Sequence, residues 1–81
     1  MTVTVHFYSY FKDLTGCEKV TEEVQPGSTL GDLVEKLTQR FPKLAAMRKS
    51  TLIAVGVEYR LRAYALQPGD EVSLFPPVQG G

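Results

Sequence analysis

Leu30, Leu33, Val34, Leu37 and Phe41 recur at i, i+3, i+4, i+7 and i+11, which draws one apolar stripe along a helix. That stripe must be covered, and the rest of the 81 residues offers strands to cover it. Ser28 or Thr29 is placed to cap the first N–H groups, and Asp32 lies in the first turn, where negative charge is favoured. Asp32 and Lys36 have the spacing of an i,i+4 ion pair. Arg40 stands near the carbonyl end, and Pro42 bars simple continuation. Lys43 to Ser50 reads as a loop tucked in by Leu44 and Met47.

The covering surface is written in period two. From Thr2 to Tyr8 the chain alternates strictly, with Val3, Val5 and Phe7 on one face and Thr4, His6 and Tyr8 on the other. Ser9 to Gly16 fits one short helical turn, capped by Ser9 and stopped by Gly16, with Phe11 and Leu14 sharing a face. Lys19 to Val24 is a mostly polar strand suited to a sheet edge. Leu52 to Val57 reads as a buried strand, and Glu58 to Leu61 either continues it past a bend or forms a short partner. In Glu71 to Phe75, Val72 and Leu74 face one way and Glu71, Ser73 and Phe75 the other. Gln25-Pro26-Gly27 and Gln67-Pro68-Gly69 place Pro and Gly where a type II turn prefers them.

The order β, short α, β, α, β, short β, β predicts an α+β chain: a β-grasp, ubiquitin-like roll. Its mixed sheet has about four to five strands, with one main helix on one face. Residues 1–75 make the domain, and residues 76–81 (Pro-Pro-Val-Gln-Gly-Gly) form a flexible tail. Composition agrees, since 43% hydrophobic and 22% charged residues are ordinary globular usage. Nine basic against nine acidic residues leave no net charge, which disfavours a nucleic-acid-binding module. Cys17 is the only cysteine and His6 the only histidine, which excludes an internal disulfide and a Cys-based zinc site. With no basic and apolar leader and no long apolar run, the expectation is a cytoplasmic protein that does not engage a membrane.

Motif searches for chemistry return nothing: no phosphate-cradling glycine loop, no metal-ligand spacing, no nucleophile motif. Cys17 reads as an inert thiol and His6 as a surface residue without the companions a general base needs. The pairs Tyr8/Tyr10 and Tyr59/Tyr64 fit packing and contact surface equally well.

The last seven residues, Phe-Pro-Pro-Val-Gln-Gly-Gly, are different. Pro76 and Pro77 have no N–H to give the sheet, so the ladder ends there and an extended arm begins. Six residues from Pro76 to Gly81 reach at most about 20 Å. Gly80 and Gly81 carry no side chains, so this arm fits a channel too narrow for other residues. The plain alternative is a frayed end. Two glycines would close a chain by chance in roughly 0.5% of cases at ordinary glycine usage. With a proline exit and a β-grasp order, the terminus reads as a carboxylate offered to another protein's active site.

The tail, the approach Gly69-Asp70-Glu71-Val72, and the segments VTVHFYS, YFKDLTG, TLGDLVEKLTQRFP and LIAVGVEYRL together resemble the MoaD-type sulfur carriers, the small subunits of molybdopterin synthase. Gly56 departs from the pattern, standing where that family often has Asn. The resemblance implies that Gly81 is adenylated with ATP by a ubiquitin-activating-like, MoeB-type enzyme. The acyl-adenylate then becomes a thiocarboxylate, with sulfur from a donor such as a cysteine desulfurase or rhodanese. The arm next enters a MoaE-type large subunit and gives its sulfur to a cyclic pyranopterin, in a heterotetramer of two small and two large subunits. On this view the chain binds no cofactor or metal and is no enzyme by itself; Gly81 reacts and Gly80 gives access.

Strand alternation turns Phe75 and Tyr8 outward beside the tail, and Tyr59 can join them. An outward aromatic cluster of this kind marks a protein contact. The resemblance places Tyr8, Tyr59 and Phe75, followed by Pro76, Pro77 and Val78, at the large-subunit interface; the plain alternative has Phe75 merely covering the sheet end. Lys12, Arg60 and Arg62 fit polar rim contacts and surface solvation equally. Gly-Gly alone is shared with ThiS-type thiamine carriers and ubiquitin-like modifiers, and a β-grasp interaction domain with an inert tail is the last alternative.

Overall fold

A computed structural model describes residues 1–77; Val78, Gln79, Gly80 and Gly81 lie outside the described residues. The elements run β1 (Thr2–Phe7), α1 (Phe11–Thr15), β2 (Lys19–Glu23), α2 (Leu30–Arg40), a 3-10 helix (Pro42–Met47), β3 (Leu52–Val55), β4 (Glu58–Tyr59) and β5 (Glu71–Phe75). The strands form one sheet in the order β2-β1-β5-β3-β4. β1 and β5 lie parallel at its centre, while the other pairings are antiparallel. This mixed five-stranded sheet with a single long helix is the β-grasp arrangement. The polar β2 is an edge strand, as its composition predicts.

Alternation decides which face α2 covers. Val3, Val5, Phe7, Val72, Leu74 and Ile53 point inward and are buried, and Leu30, Leu33, Val34 and Leu37 of α2 meet them. Phe11, Leu44 and Leu66 close the ends of this core. Phe41 finishes the stripe half-buried, edge-on to Phe7 at 5.6 Å between ring centroids. Each fully buried aliphatic or aromatic side chain contributes about 1.5–3 kcal/mol, and this supplies most of the fold's stability.

Thr29 is the cap of α2. Its hydroxyl accepts from the Asp32 N–H at 3.2 Å, and the Asp32 carboxylate accepts from the Thr29 N–H at 2.9 Å. This reciprocal capping box occupies Asp32, so the expected Asp32–Lys36 pair does not form. Lys36 and Arg40 instead reach Glu22 on β2, at 3.6 and 2.5 Å. Glu22 points inward opposite Val3 and is buried, so the two cations compensate a carboxylate held away from water.

Three other expectations need correction. Ser9 does not cap α1: it has φ 56°, and Tyr10 precedes the helix without a side-chain cap. Gly16 does end α1, at φ 77°, its N–H donating to the Lys12 carbonyl at 2.8 Å. Pro42–Met47 is a 3-10 helix rather than a loop, because Pro42 fits a first helical turn and Leu44 is buried beneath it. The third strand stops at Val55, where Gly56-Val57 turns the chain so that Ala54 faces Tyr59 and Val55 faces Glu58. Glu58 and Tyr59 are thus a short partner strand, and Val57 is fully exposed at the tip. Gly56 has φ 62° at the first central position, the requirement of a II′ hairpin turn.

Both Gln-Pro-Gly turns form as predicted. Ser28 N–H donates to the Gln25 carbonyl at 3.0 Å with Gly27 at φ 90°. Asp70 N–H donates to the Gln67 carbonyl at 3.1 Å with Gly69 at φ 79°. The second turn delivers β5 into the slot beside β1.

Candidate functional site

Sheet register assembles the outer face where β5 ends. Phe7 pairs with Leu74 across the parallel β1–β5 ladder, and the Tyr8 N–H donates to the Leu74 carbonyl at 3.2 Å. Inward Phe7 and Leu74 therefore leave their successors, Tyr8 and Phe75, side by side on the opposite face. The two rings stack, with centroids 4.7 Å apart and planes 14° from parallel. On the other flank Phe75 is paired with Leu52 of β3, and Tyr59 of β4 meets the Phe75 ring edge-on at 6.3 Å.

Tyr8, Tyr59 and Phe75 are thus one cluster. Phe75 is half-buried at its centre, while Tyr59 remains 69% and Tyr8 42% exposed. Such pairs add about 0.5–1.5 kcal/mol beyond area burial, which favours the three rings as one patch. Leu52 belongs to the patch as well, being exposed on the same face. Sequence reasoning missed it by reading the run Leu52–Val57 as buried throughout. Ala54 sits on this face opposite Tyr59 and is nevertheless buried, although it does not belong to the core beneath α2.

Polar groups border the aromatics. His6 Nε2 lies 2.7 Å from Glu71 Oε1 on the outer face. This hydrogen bond is the main reason the Glu71 carboxyl titrates below its ordinary value. The His6 ring is also 6.5 Å from that of Tyr8. A hollow of about 230 Å³ beside Tyr8 is lined by His6, Phe7, Tyr8, Lys12 and Glu18. The two tyrosine pairs separate into different roles. Tyr64 packs partly buried against the core and donates its hydroxyl to Asp70 Oδ2 at 3.0 Å. Its pKa is raised, first by burial and then by Asp70. Tyr10 leads into α1 and meets Phe11 edge-on.

Pro76 and Pro77 follow directly from Phe75 and are half-buried at the rim of the cluster. Lacking N–H groups, they cannot extend the ladder, and β5 ends at Phe75. Val78, Gly80 and Gly81, the remaining predicted site residues, lie outside the described residues. Cys17 is half-buried, packs against the core and lies beside Thr15. Among the described residues no three His, Cys, Asp or Glu side chains gather where they could hold a metal. The described surface thus carries an exposed aromatic patch at the point where β5 ends.

Known proteins match this chain over nearly its whole length. Human molybdopterin synthase sulfur carrier subunit is 32% identical over 82 residues, covering 98% of this chain and 93% of the human one. Small archaeal modifier protein 3 of Haloferax volcanii is 29% identical over 96 residues, covering both chains completely. A solved complex of subunits 1 and 2 of the molybdopterin-converting factor from Helicobacter pylori contains a similar chain. The TM-score is 0.70 at 26% identity, with all of both chains covered. The model of the ThiS family matches residues 5–81, which takes in the outer-face cluster, the proline exit and the terminal glycines, and the chain belongs to that family.

Proposed function

We propose that this chain is a sulfur carrier and the small subunit of a molybdopterin synthase. The observation that carries the reading is the stacked Tyr8–Phe75 pair with Tyr59, placed where β5 gives way to Pro76-Pro77. A docking face at the end of β5, six residues in sequence before a side-chain-free terminus, suits a protein that inserts its own end into a partner. The Helicobacter pylori complex of two subunits and the human sulfur carrier support this assignment.

In the proposed cycle the Gly81 carboxylate attacks the α-phosphate of ATP within a MoeB-type adenylating enzyme, forming the acyl-adenylate and releasing pyrophosphate. Hydrosulfide attacks the activated carbonyl and expels AMP, leaving –COS⁻ on Gly81. Where the donor is a persulfide on a cysteine desulfurase or rhodanese, its terminal sulfur expels AMP to give an acyl disulfide. A thiol then reduces this, freeing –COS⁻ and leaving the thiol in a disulfide with the donor cysteine. The arm then enters a MoaE-type large subunit, and its sulfur passes to a cyclic pyranopterin. Water returns the terminus to a carboxylate. Two deliveries complete a dithiolene, and two small with two large subunits form the working assembly. The carrier contributes the reacting terminus and the docking face; positioning and electrostatics come from its hosts. No helix among the described residues is long and apolar enough to cross a membrane, and the cycle needs none.

Removing Gly81, or appending one residue after it, should abolish sulfur transfer to the pyranopterin while leaving the thermal midpoint unchanged. Retained transfer would contradict a terminal-carboxylate mechanism. The Haloferax volcanii relative favours a second reading, a protein modifier joined through Gly81 to lysines. Lysine-linked conjugates in the same reaction would support it. A thiamine-pathway carrier would pass its sulfur to thiazole synthesis instead, and the Phe-Pro-Pro-Val approach to the glycines argues against that role.

A further inference from the structure

Next to the aromatic cluster, on the β3–β4 side, the surface opens into a groove of about 450 Å³. Leu52, Tyr59 and Leu61 supply its apolar lining, and Lys49, Arg60 and Arg62 its charge. Leu61 is 85% exposed and shares the groove with exposed Leu52 and Tyr59, so the apolar surface here is a contiguous patch, the kind that marks an interaction site. The three cations differ in how far they are already engaged. Arg60 pairs with Glu58 at 3.4 Å and lies over the Tyr64 ring. Arg62 is steered by a hydrogen bond to the Arg48 carbonyl, which positions its charge without neutralising it. Among the described residues no carboxylate lies within ion-pair distance of Lys49 or Arg62. A chain with no net charge has thus gathered uncompensated positive charge around exposed apolar side chains.

We propose that this groove is a second docking subsite, and that its occupant is an acidic segment of the large subunit, with carboxylates flanking an apolar side chain. The apolar residue would cover Leu61 and Leu52, while the carboxylates meet Lys49 and Arg62. Continuity supports the same partner, because Leu52 and Tyr59 belong both to the groove and to the cluster around Phe75. A nucleic acid fits less well, since apolar side chains make up half of these six residues and the chain has no basic excess. Charges at the border of an apolar contact set register and partner choice and speed encounter, which the stacked aromatics do not do. The proposal rests on the sulfur-carrier reading and adds to it a determinant of which large subunit is accepted.

The test is titration of the full chain with its large subunit at low and high salt. The Lys49→Glu/Arg62→Glu double variant should bind about tenfold or more weakly at low salt, and its deficit should shrink as salt screens the charges. Leu61→Ser should lose several-fold affinity at both salt concentrations. Lys43→Glu, a single charge reversal outside the groove with half the charge change of the double variant, should stay within about twofold. A Lys49→Gln/Arg62→Gln pair keeps a donor for the Arg48 carbonyl and guards against a folding defect; it should show a smaller loss of the same kind. Wild-type affinity in the double variant, with Phe75→Ala still weakened, would overturn the groove and leave the carrier reading standing. A wild type that does not bind the large subunit would overturn both. Charge-dependent binding of a single-stranded oligonucleotide or of anionic phosphatidylserine vesicles, without an effect on the large subunit, would overturn the assignment to an acidic protein segment.

Discussion

Replacing Phe75 by alanine separates a contact residue from a core residue, because its two environments predict different losses. In the free chain the ring is half-buried, so about half of the roughly 1.5–3 kcal/mol of a fully buried phenylalanine is at stake. The Tyr8 stack at 4.7 Å adds a contribution near the low end of about 0.5–1.5 kcal/mol, since Tyr8 is itself 42% exposed. The folding loss should therefore be about 1.5–2 kcal/mol, well below the roughly 3–5 of a buried phenylalanine truncated to alanine. For a domain of this size that lowers the thermal midpoint by roughly 10 °C. In the proposed complex the exposed half of the ring, with Tyr8 and Tyr59, would be covered as well, and the central aromatic of a contact patch costs 2 kcal/mol or more when truncated, about thirtyfold in Kd. Denaturant midpoints and titration with the large subunit, at a temperature where the variant is folded, measure the two losses independently. Kd within about threefold of wild type alongside a folding loss above about 3 kcal/mol would show that Phe75 serves the core, refuting the docking face.

Gly56→Ala should destabilise by about 1–2 kcal/mol through backbone strain alone, because φ is 62° and a Cβ there meets nothing within 4 Å. Gly56→Asn should cost less, since asparagine reaches left-handed φ more readily; equal losses in urea melts would contradict this origin. Glu22→Gln should cost about 1–2 kcal/mol, less than a fully buried ion pair, because Arg40 and Lys36 are half-exposed and rehydrate. An unchanged midpoint would show that the two cations do not compensate Glu22. For pH dependence, a carboxyl lowered in the fold contributes stability above its unfolded pKa, and loses it as pH falls through the folded value. The hydrogen bond from His6 makes Glu71 such a group, so His6→Ala should flatten the acid limb of a stability–pH profile. Tyr64 has the opposite sign. Raised by burial and Asp70, it stabilises below the unfolded tyrosine pKa and loses this as pH rises through its folded value, so Tyr64→Phe should flatten the alkaline limb.

Most of the architecture was legible in the sequence because its signals are local. The alternation of Thr2–Tyr8, the stripe of Leu30–Phe41 and the two Gln-Pro-Gly turns each need only neighbouring residues to be read. Outward placement of Tyr8 and Phe75 followed from the same alternation. What escaped depended on competition or on distant strands. Asp32 had two available partners, and the backbone N–H of Thr29 won over Lys36. Pro42 stops α2 but also starts the 3-10 helix, and the apolar Leu44 after a first-turn proline was the signal for it. Leu52 was hidden for a physical reason: its outer-face neighbours are Phe75 and Tyr59, so β3 is apolar on both sides without being buried on both. An apolar run on a strand is ambiguous between a buried strand and one that carries a contact surface. The groove at Lys49, Leu61 and Arg62 joins segments that only the fold brings together.

Mass spectrometry of the C-terminal peptide, after incubation with the adenylating enzyme, ATP and a sulfide source, tests the central claim most directly. The account predicts replacement of one oxygen by sulfur on Gly81, dependent on ATP and absent when Gly81 is deleted. An unmodified terminus under conditions where the enzyme activates another carrier, or sulfur found on Cys17 instead, would contradict it.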